Sequence, residues 1–382
     1  MATLQSTPPK LDEMEVSVFG PGFGESVVVH LGSGEWVIVD SCAGEGREPS
    51  KPLEYLKSIG QVPEECVRVV VATHWHNDHV VGLAETLDVC RNAVFCCSDA
   101  LSSRDFIDWA SLYQELPSTF QRSPEKICKA IEIAARRSHV QQQQMLKFAK
   151  ADTLVWRSGS GSARLVALSP SDEMSRRAMA FMVQEYARAM RIRALPDRLS
   201  PVTPNDTAVV LRVDVGDRSV LLGSDLERGN GSLVGWSSVL KTYFGTEKKS
   251  SVFKVAHHGA KSGWHEHVWS DMLVPRSFAL LSPFRWGGCR CPNAEDQSRI
   301  LAMTDRAFIA SHPDGRPVGK RTPKVEAVIR QTTPQHTRRE VSNGAGHVRW
   351  RASIHDLTDD GSVELFDGAM QLSRGPTATT ST

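Results

Sequence analysis

The sequence predicts an α/β fold in which two strand-rich halves are flanked by helices. Three observations predict it. Short β-branched runs recur along the chain at the length of buried strands. Segments with helical spacing separate them, at about 102–150 and 172–196. Histidines and aspartates stand at the ends of several strands, where one sheet edge can gather them.

The elements follow in order. Residues 1–14 read as a flexible lead-in, and a single domain is expected over 15–370. Glu15 to Phe19, Ser26 to His30 and Trp36 to Asp40 read as strands, turned by the glycine-rich Gly20 to Glu25 and by Gly32 and Gly34. Leu53 to Ile59 reads as a short helix leading into the strand Val67 to Ala72. Ala93 to Cys97 is another buried strand. The first helical insertion follows, with Ser123-Pro124-Glu125 as a helix start and Ile127, Ala130, Ile131 and Ala134 on one face. Thr153 to Trp156 and Arg164 to Leu168 return to strand. The second insertion carries Met174, Ala178, Phe181 and Met182 on one face and Arg188, Arg191 and Arg193 on the other. That basic face reads most simply as solvated, with a substrate-facing strip as the alternative.

Thr207 to Val215 and Ser219 to Leu222 form a predicted hairpin across Gly216-Asp217. Val252 to Ala256, Phe278 to Leu281 and Ala307 to Ala310 are further strands. From His312 to Arg351, nine Lys/Arg face three Asp/Glu, and prolines mark part of this basic segment as a long loop. His347 to Ala352 and Ser362 to Phe366 read as a closing hairpin, and 371–382 as a disordered tail.

Composition narrows the function classes. The 382 residues are 40% hydrophobic and 23% charged, with 45 Lys/Arg against 44 Asp/Glu, for a net charge of +1. Such a balance speaks against bulk, non-specific gripping of long nucleic acid, while leaving room for a local basic groove. No window is apolar enough for a membrane span or a secretory leader, so no membrane is expected. The eight cysteines lack paired-framework spacing and read as reduced thiols of a cytoplasmic protein, Cys289-x-Cys291 as a loop thiol pair.

One stretch organises the chain. Val67 to Ala72 breaks into Thr73-His74-Trp75-His76-Asn77-Asp78-His79, which places three histidines and an aspartate within six residues at a strand end. Imidazole nitrogens and carboxylate oxygens are the donors a borderline divalent metal prefers, so this is read as a metal site. Asp40, also at a strand end, suits a supporting role that orients a ligand imidazole through its other ring nitrogen. A plain turn-initiating aspartate is the alternative.

This stretch resembles the signature of the metallo-β-lactamase-fold hydrolases. The resemblance implies their αββα sandwich, here with extra helical insertions. It implies His74 and His76 on one metal and Asp78 and His79 on a second, with Zn²⁺ or Mn²⁺ as the cofactor, one or two ions. Asp225 and His257, each at a strand end, then fit the bridging carboxylate and the imidazole that completes the second site. His257 and His258 would point to opposite sides of a strand, so only one is expected as a ligand, with His258 the hydrogen-bonding or proton-transfer neighbour and the reverse as the alternative.

The later pieces resemble one branch, the hydrolase domain of ComEC-type DNA-uptake proteins and its free-standing relatives. The counterparts are Gly22-Phe23-Gly24-Glu25-Ser26, Asp40, the His74–His79 cluster, Asn205 to Leu211, Ser224-Asp225-Leu226-Glu227 and His257 to Ser262. Through them Asn205 joins Asp40 in a supporting role. Glu25, Ser224 and Ala260 depart from the branch's usual Asp, Gly and Ser. Many family members place another histidine between the cluster and the bridging aspartate; here that interval holds only His139, inside the helical insertion. This departure points to a first metal site that is weak, water-rich or empty.

The function implied is hydrolysis by a metal-bound hydroxide, with a phosphodiester in a nucleic acid or nucleotide as the substrate. Asp78 would orient the nucleophile, His258 would move a proton and Lys261 would add positive charge, an exposed loop lysine being the blander account. The alternatives are hydrolysis of a lactone or thioester, or a metal-stabilised interaction module that meets a protein partner through the helical insertions.

Overall fold

The computed structural model describes residues 7–20, 24–42, 50–111, 123–192, 203–243, 248–286, 288–312, 328 and 346–373. β1 (Glu13–Gly20), β2 (Ser26–Leu31) and β3 (Trp36–Val39) form a meander. α1 (Lys51–Ser58) and α2 (Pro63–Cys66) lead to β4 (Val67–Ala72). α3 (Asn77–Val80) and α4 (Leu83–Val89) precede β5 (Val94–Ser98). α5 (Arg104–Ser111) and α6 (Ser123–Gln141) follow, then β6 (Leu146–Ala149), β7 (Thr153–Arg157) and β8 (Ala163–Ala167). α7 (Asp172–Ile192) leads to β9 (Leu211–Val215) and β10 (Arg218–Leu222), and α8 (Gly235–Thr242) to β11 (Ser250–Lys254) and β12 (Leu273–Leu281). β13 (Phe284–Trp286) and β14 (Cys289–Cys291) make a small hairpin before α9 (Ala294–Met303). β15 (Ala307–Ile309), β16 (Gly346–Ser353), β17 (Ser362–Phe366) and β18 (Met370–Gln371) complete the chain.

Two eight-stranded sheets result, in the orders β17-β16-β1-β2-β3-β4-β5-β6 and β18-β15-β12-β11-β10-β9-β8-β7. Their facing sides share one apolar layer, built from residues such as Val16, Val29, Val69 and Val71 against Leu211, Val213, Val220 and Leu280. The opposite face of the first sheet packs Ile38, Val70 and Phe95 against Leu56, Leu87, Ile127 and Ala130 of the helices. The opposite face of the second packs Leu221 and Phe253 against Trp236 and Ile300. β4 is therefore apolar at consecutive positions because both of its faces are buried. This is the αββα sandwich.

Several expectations shift. The segment 102–150 is not helical throughout: Leu146 to Ala149 is strand β6, whose backbone pairs in parallel with β5 at the sheet edge. The predicted strand from Thr207 starts only at Leu211, because Pro204 to Thr207 forms a 3₁₀ turn. The β9–β10 hairpin across Gly216-Asp217 is present. β16 and β17 do pair as a hairpin, and β16 also lies beside β1, which joins the two ends of the chain in one sheet. β1 begins at Glu13, inside the expected lead-in, and Gln371 belongs to β18.

Most of the basic segment, 313–327 and 329–345, lies outside the described residues, as do Arg193 and 374–382. The two arginines at its end are bonded inside the fold, Arg349 to Glu364 at 2.8 Å and Arg351 to Glu15 at 2.7 Å. All eight cysteines are free. Among the described residues no helix is long and apolar enough to cross a membrane.

Candidate metal centre

Four strand ends converge. β3 delivers Asp40, β4 delivers the loop His74 to His79, β10 delivers Asp225 and β11 delivers the turn Ala256 to Gly259. β3 and β4 are parallel neighbours in one sheet, and β10 and β11 in the other, so each pair carries its side chains to the same edge. Backbone bonds from Glu25 N–H to the Asp78 carbonyl (2.9 Å) and from Ser41 N–H to the His79 carbonyl (2.8 Å) fix the loop that follows β4.

The donor atoms of Asp78, His79, Asp225 and His258 lie within 4.8 Å of one another, and all four residues are buried. His74, His76 and Asp225 form a second such group, so Asp225 belongs to both. Each imidazole in the first group is held by its Nδ1–H. His79 donates to Asp40 Oδ2 at 2.8 Å, and His258 donates to the Ser282 carbonyl at 3.1 Å, with Glu25 Oε2 3.4 Å away. Both Nε2 atoms are buried without a hydrogen-bond partner, as is Asp225 Oδ1. The two Nε2 atoms lie 3.3–3.5 Å from the Oδ2 atoms of Asp78 and Asp225. Buried polar atoms are almost always paired, so donors that face a common point rather than one another fit a cation between them. This donor set suits a divalent metal.

Electrostatics agree. Burial alone lowers His258, but Asp225, Asp78 and Glu25 outweigh it and push it up to about 10. His79 behaves likewise: burial opposes its charge, yet Asp225, Asp78 and Asp40 raise it well above the usual imidazole range. Asp225 is buried, which disfavours its charge, yet His258 and His79 hold it well below the ordinary carboxylate value. His74 and His76 are lowered, chiefly by burial and also by neighbouring imidazoles, and so stay neutral. Their Nε2 and Nδ1 atoms are 3.0 Å apart.

The adjacent histidines take the opposite places from those expected. His258 joins the cluster, and His257 does not. The expectation assumed strand alternation, but β11 ends at Lys254, and both histidines adopt left-handed backbone conformations, φ 48° and 53°. His257 instead contacts Ser262 Oγ at 2.8 Å and Asn205 Nδ2 at 3.2 Å, with Glu227 3.5 Å away. Asn205 thus sits beside His257, and its buried Oδ1 has no partner. Gly259 follows at φ +81°, where a Cβ would press on Leu281 and Ile300. Lys261 is a surface side chain: it is 79% exposed and lies 4.0 Å from Glu295.

Lys254 and Glu25 have roles the sequence did not assign. Lys254 is 1% exposed and contacts Glu25 directly, with Asp225 Oδ1 at 3.8 Å and the Ser224 carbonyl at 3.2 Å. It therefore holds both the Glu25 carboxylate beside His258 and the shared Asp225 itself. A lysine inside the apolar strand Ser-Ser-Val-Phe-Lys was the available signal, since lysine is rarely buried unless paired.

The first helical insertion braces this centre. Trp75, in the His loop, packs against Phe106 and Trp109 of α5, each ring centroid 6.2 Å away. Lys126 of α6 donates to Asn77 Oδ1 at 2.7 Å.

Residues 19–116 match the family model described as Metallo-beta-lactamase superfamily. The chain carries a metallo-beta-lactamase superfamily domain. That superfamily consists mostly of hydrolases that bind divalent metal, often zinc. Among solved structures, YhfI of Bacillus subtilis, a metallo-beta-lactamase fold protein, is 14% identical; the match covers 80% of this chain and 98% of that one, with a TM-score of 0.38. A metallo-beta-lactamase from Pontibacter korlensis is 16% identical over 54% of this chain and 61% of its own, with a TM-score of 0.25. The short form of human tRNase Z is 13% identical over 62% and 76%, with a TM-score of 0.29. No curated protein compared with the chain matches it.

Proposed function

We propose that this protein is a metal-dependent phosphodiesterase acting on a nucleic acid or nucleotide. The observation that carries the proposal is the pair of donor groups joined through Asp225. A carboxylate shared by two groups of buried imidazoles suits two divalent ions held side by side. The ions would be Zn²⁺ or Mn²⁺, with Asp78, His79, Asp225 and His258 around one and His74, His76 and Asp225 around the other. When bound, such ions acidify a water and screen the oxygens of a phosphoryl group.

The chain's own residues supply the rest. Asp78 faces the shared centre and would orient the attacking water and take its proton. His257, 24% exposed and bonded to Asn205 and Ser262 at its two ring nitrogens, would hand a proton to the leaving oxygen once the substrate displaces one of these partners. Asp40, Glu25 and Lys254 keep the donor atoms in position from behind. The order of the motifs, with Ser224-Asp225-Leu226-Glu227 and His257 to Ser262 resembling the ComEC-like branch, supports a phosphodiester over an acyl substrate.

The test is hydrolysis of single-stranded DNA, RNA and a chromogenic phosphodiester with Zn²⁺ or Mn²⁺ added. Asp78→Asn and Asp225→Ala proteins run beside the parent. Turnover by the parent that disappears in both variants supports the proposal; parent and variants equally silent while the parent binds metal overturns it.

One observation favours a second reading, a metal-stabilised interaction module. Among the described residues, no third imidazole joins the group of His74, His76 and Asp225. A chelator that lowers the melting temperature of a protein without turnover on any ester would support it.

A further inference from the structure

The helical insertion brings to the His loop a cation that no carboxylate among the described residues matches in an ion pair. Lys126 is half-buried on α6, and its ammonium donates to Asn77, the residue between His76 and the ligand-type Asp78. Asn77 is neutral. Among the described residues, no carboxylate lies within ion-pair distance of Lys126. Lys254 and Lys261 differ: Lys254 contacts Glu25, and Lys261 faces Glu295. Burial lowers the Lys126 ammonium, with only its neighbour Glu125 working the other way. A lysine so placed usually has an anionic partner, because desolvating an ammonium costs free energy that a neutral amide only partly offsets. One of its three N–H donors is used by Asn77, which leaves two for another acceptor.

We propose that Lys126 is an anion-binding residue of the substrate site, taking a non-bridging oxygen of a phosphate ester while Asn77 holds it beside the metal loop. This inference rests on the phosphodiesterase reading for its ligand class. It assigns to the first insertion a part in substrate binding, carried by one turn of α6 on the loop from His74 to His79.

The competing account is a pin that only steadies the loop. Three readouts on metal-loaded protein separate the two: binding of inorganic phosphate by calorimetry, metal affinity by chelator competition, and KM and kcat on a chromogenic phosphodiester. The variants are Lys126→Met and Lys126→Arg. Losing a charge-assisted hydrogen bond should weaken phosphate binding by about tenfold or more in Lys126→Met. KM should rise more than kcat falls, metal affinity and melting temperature should match the parent, and Lys126→Arg should recover most of the loss. Unchanged phosphate binding in Lys126→Met overturns the inference, as does a loss of metal affinity that tracks the loss of phosphate. A parent that binds no phosphate also overturns it. Phosphate binding that depends on Lys126 in a protein that cleaves no phosphodiester upholds the anion site and rejects the phosphodiesterase reading.

Discussion

His79 donates its Nδ1–H to Oδ2 of Asp40 at 2.8 Å, and the same carboxylate accepts from both the backbone N–H and the hydroxyl of Thr73 at 2.7 Å. Asp40 therefore ties the end of β3 to the start of the His loop and turns His79 so that Nε2 faces the cluster. An amide in its place would present N–H groups to donors on one side. Asp40→Asn should weaken Zn²⁺ affinity by about 10–100-fold, as for other partners behind a ligating imidazole. Competition with a chelating dye measures it, and an affinity within twofold of the parent would refute the assigned role.

Metal binding should release protons. His79 is raised well above the usual imidazole range, and His258 is pushed up to about 10, so both carry protons at pH 7 until a cation takes their place. A ligating imidazole must be neutral. Titrating metal-free protein at pH 7 should release about two protons, read as the slope of calorimetric enthalpy against buffer ionisation enthalpy. The apparent affinity should fall as pH falls. A flat enthalpy across buffers would contradict the picture.

Stability should decline on the acid side for a reason unrelated to the metal. His30 is lowered to about 4, first by burial and then by Arg351, against the opposing bond to the Glu13 carbonyl. Its Nδ1–H donates to that carbonyl at 2.8 Å, while Nε2 accepts from Gly34 N–H at 3.1 Å. The folded value lies below the unfolded 6.5, so the unfolded chain binds the proton more readily. The contribution is complete above 6.5 and lost as pH falls towards 4, amounting to about 3 kcal/mol. Urea unfolding of the parent and His30→Gln at pH 7.5 and pH 4.5 tests this. The parent should lose more stability than the variant, and equal losses would exclude His30 as the cause.

Ser224 carries strain that glycine would relieve. It has φ 48°, and its hydroxyl is buried without a partner. A left-handed conformation costs a non-glycine residue about 1–2 kcal/mol, offset in part by the greater freedom of glycine in the unfolded chain. Ser224→Gly should stabilise the protein by about 0.5–1 kcal/mol in chemical denaturation. A destabilised variant would mean that the serine Cβ supplies packing worth more than the strain.

Several parts of this molecule were legible without coordinates. β4 and the strands around it announce themselves because runs buried on both faces are β-branched at consecutive positions. The His74 to His79 cluster is legible because its donors are close in sequence, and local spacing is what a sequence displays directly. Asp40 and Asp225 could be read as candidate site residues from their positions at strand ends.

The edge strand β6 was hidden because its pairing comes from β5, a segment some fifty residues earlier, rather than from its own composition. Glu25 could be seen only as a departure from a motif, and Lys254 only as an oddity within a strand. Their contact joins segments far apart in the chain, and no local pattern encodes it.

The sequence by itself determined the α/β class, the strand–loop–helix frame and the chemical identity of the donors, because these follow from periodicity and residue type. Tertiary structure alone decided which of His257 and His258 faces Asp225, since both leave the extended conformation on which alternation depends. It alone placed Lys254 behind Asp225 and brought Lys126 of the insertion to Asn77. Side-chain aim at a strand end depends on backbone torsions and long-range packing, and the chain reaches those only once both sheets are in place.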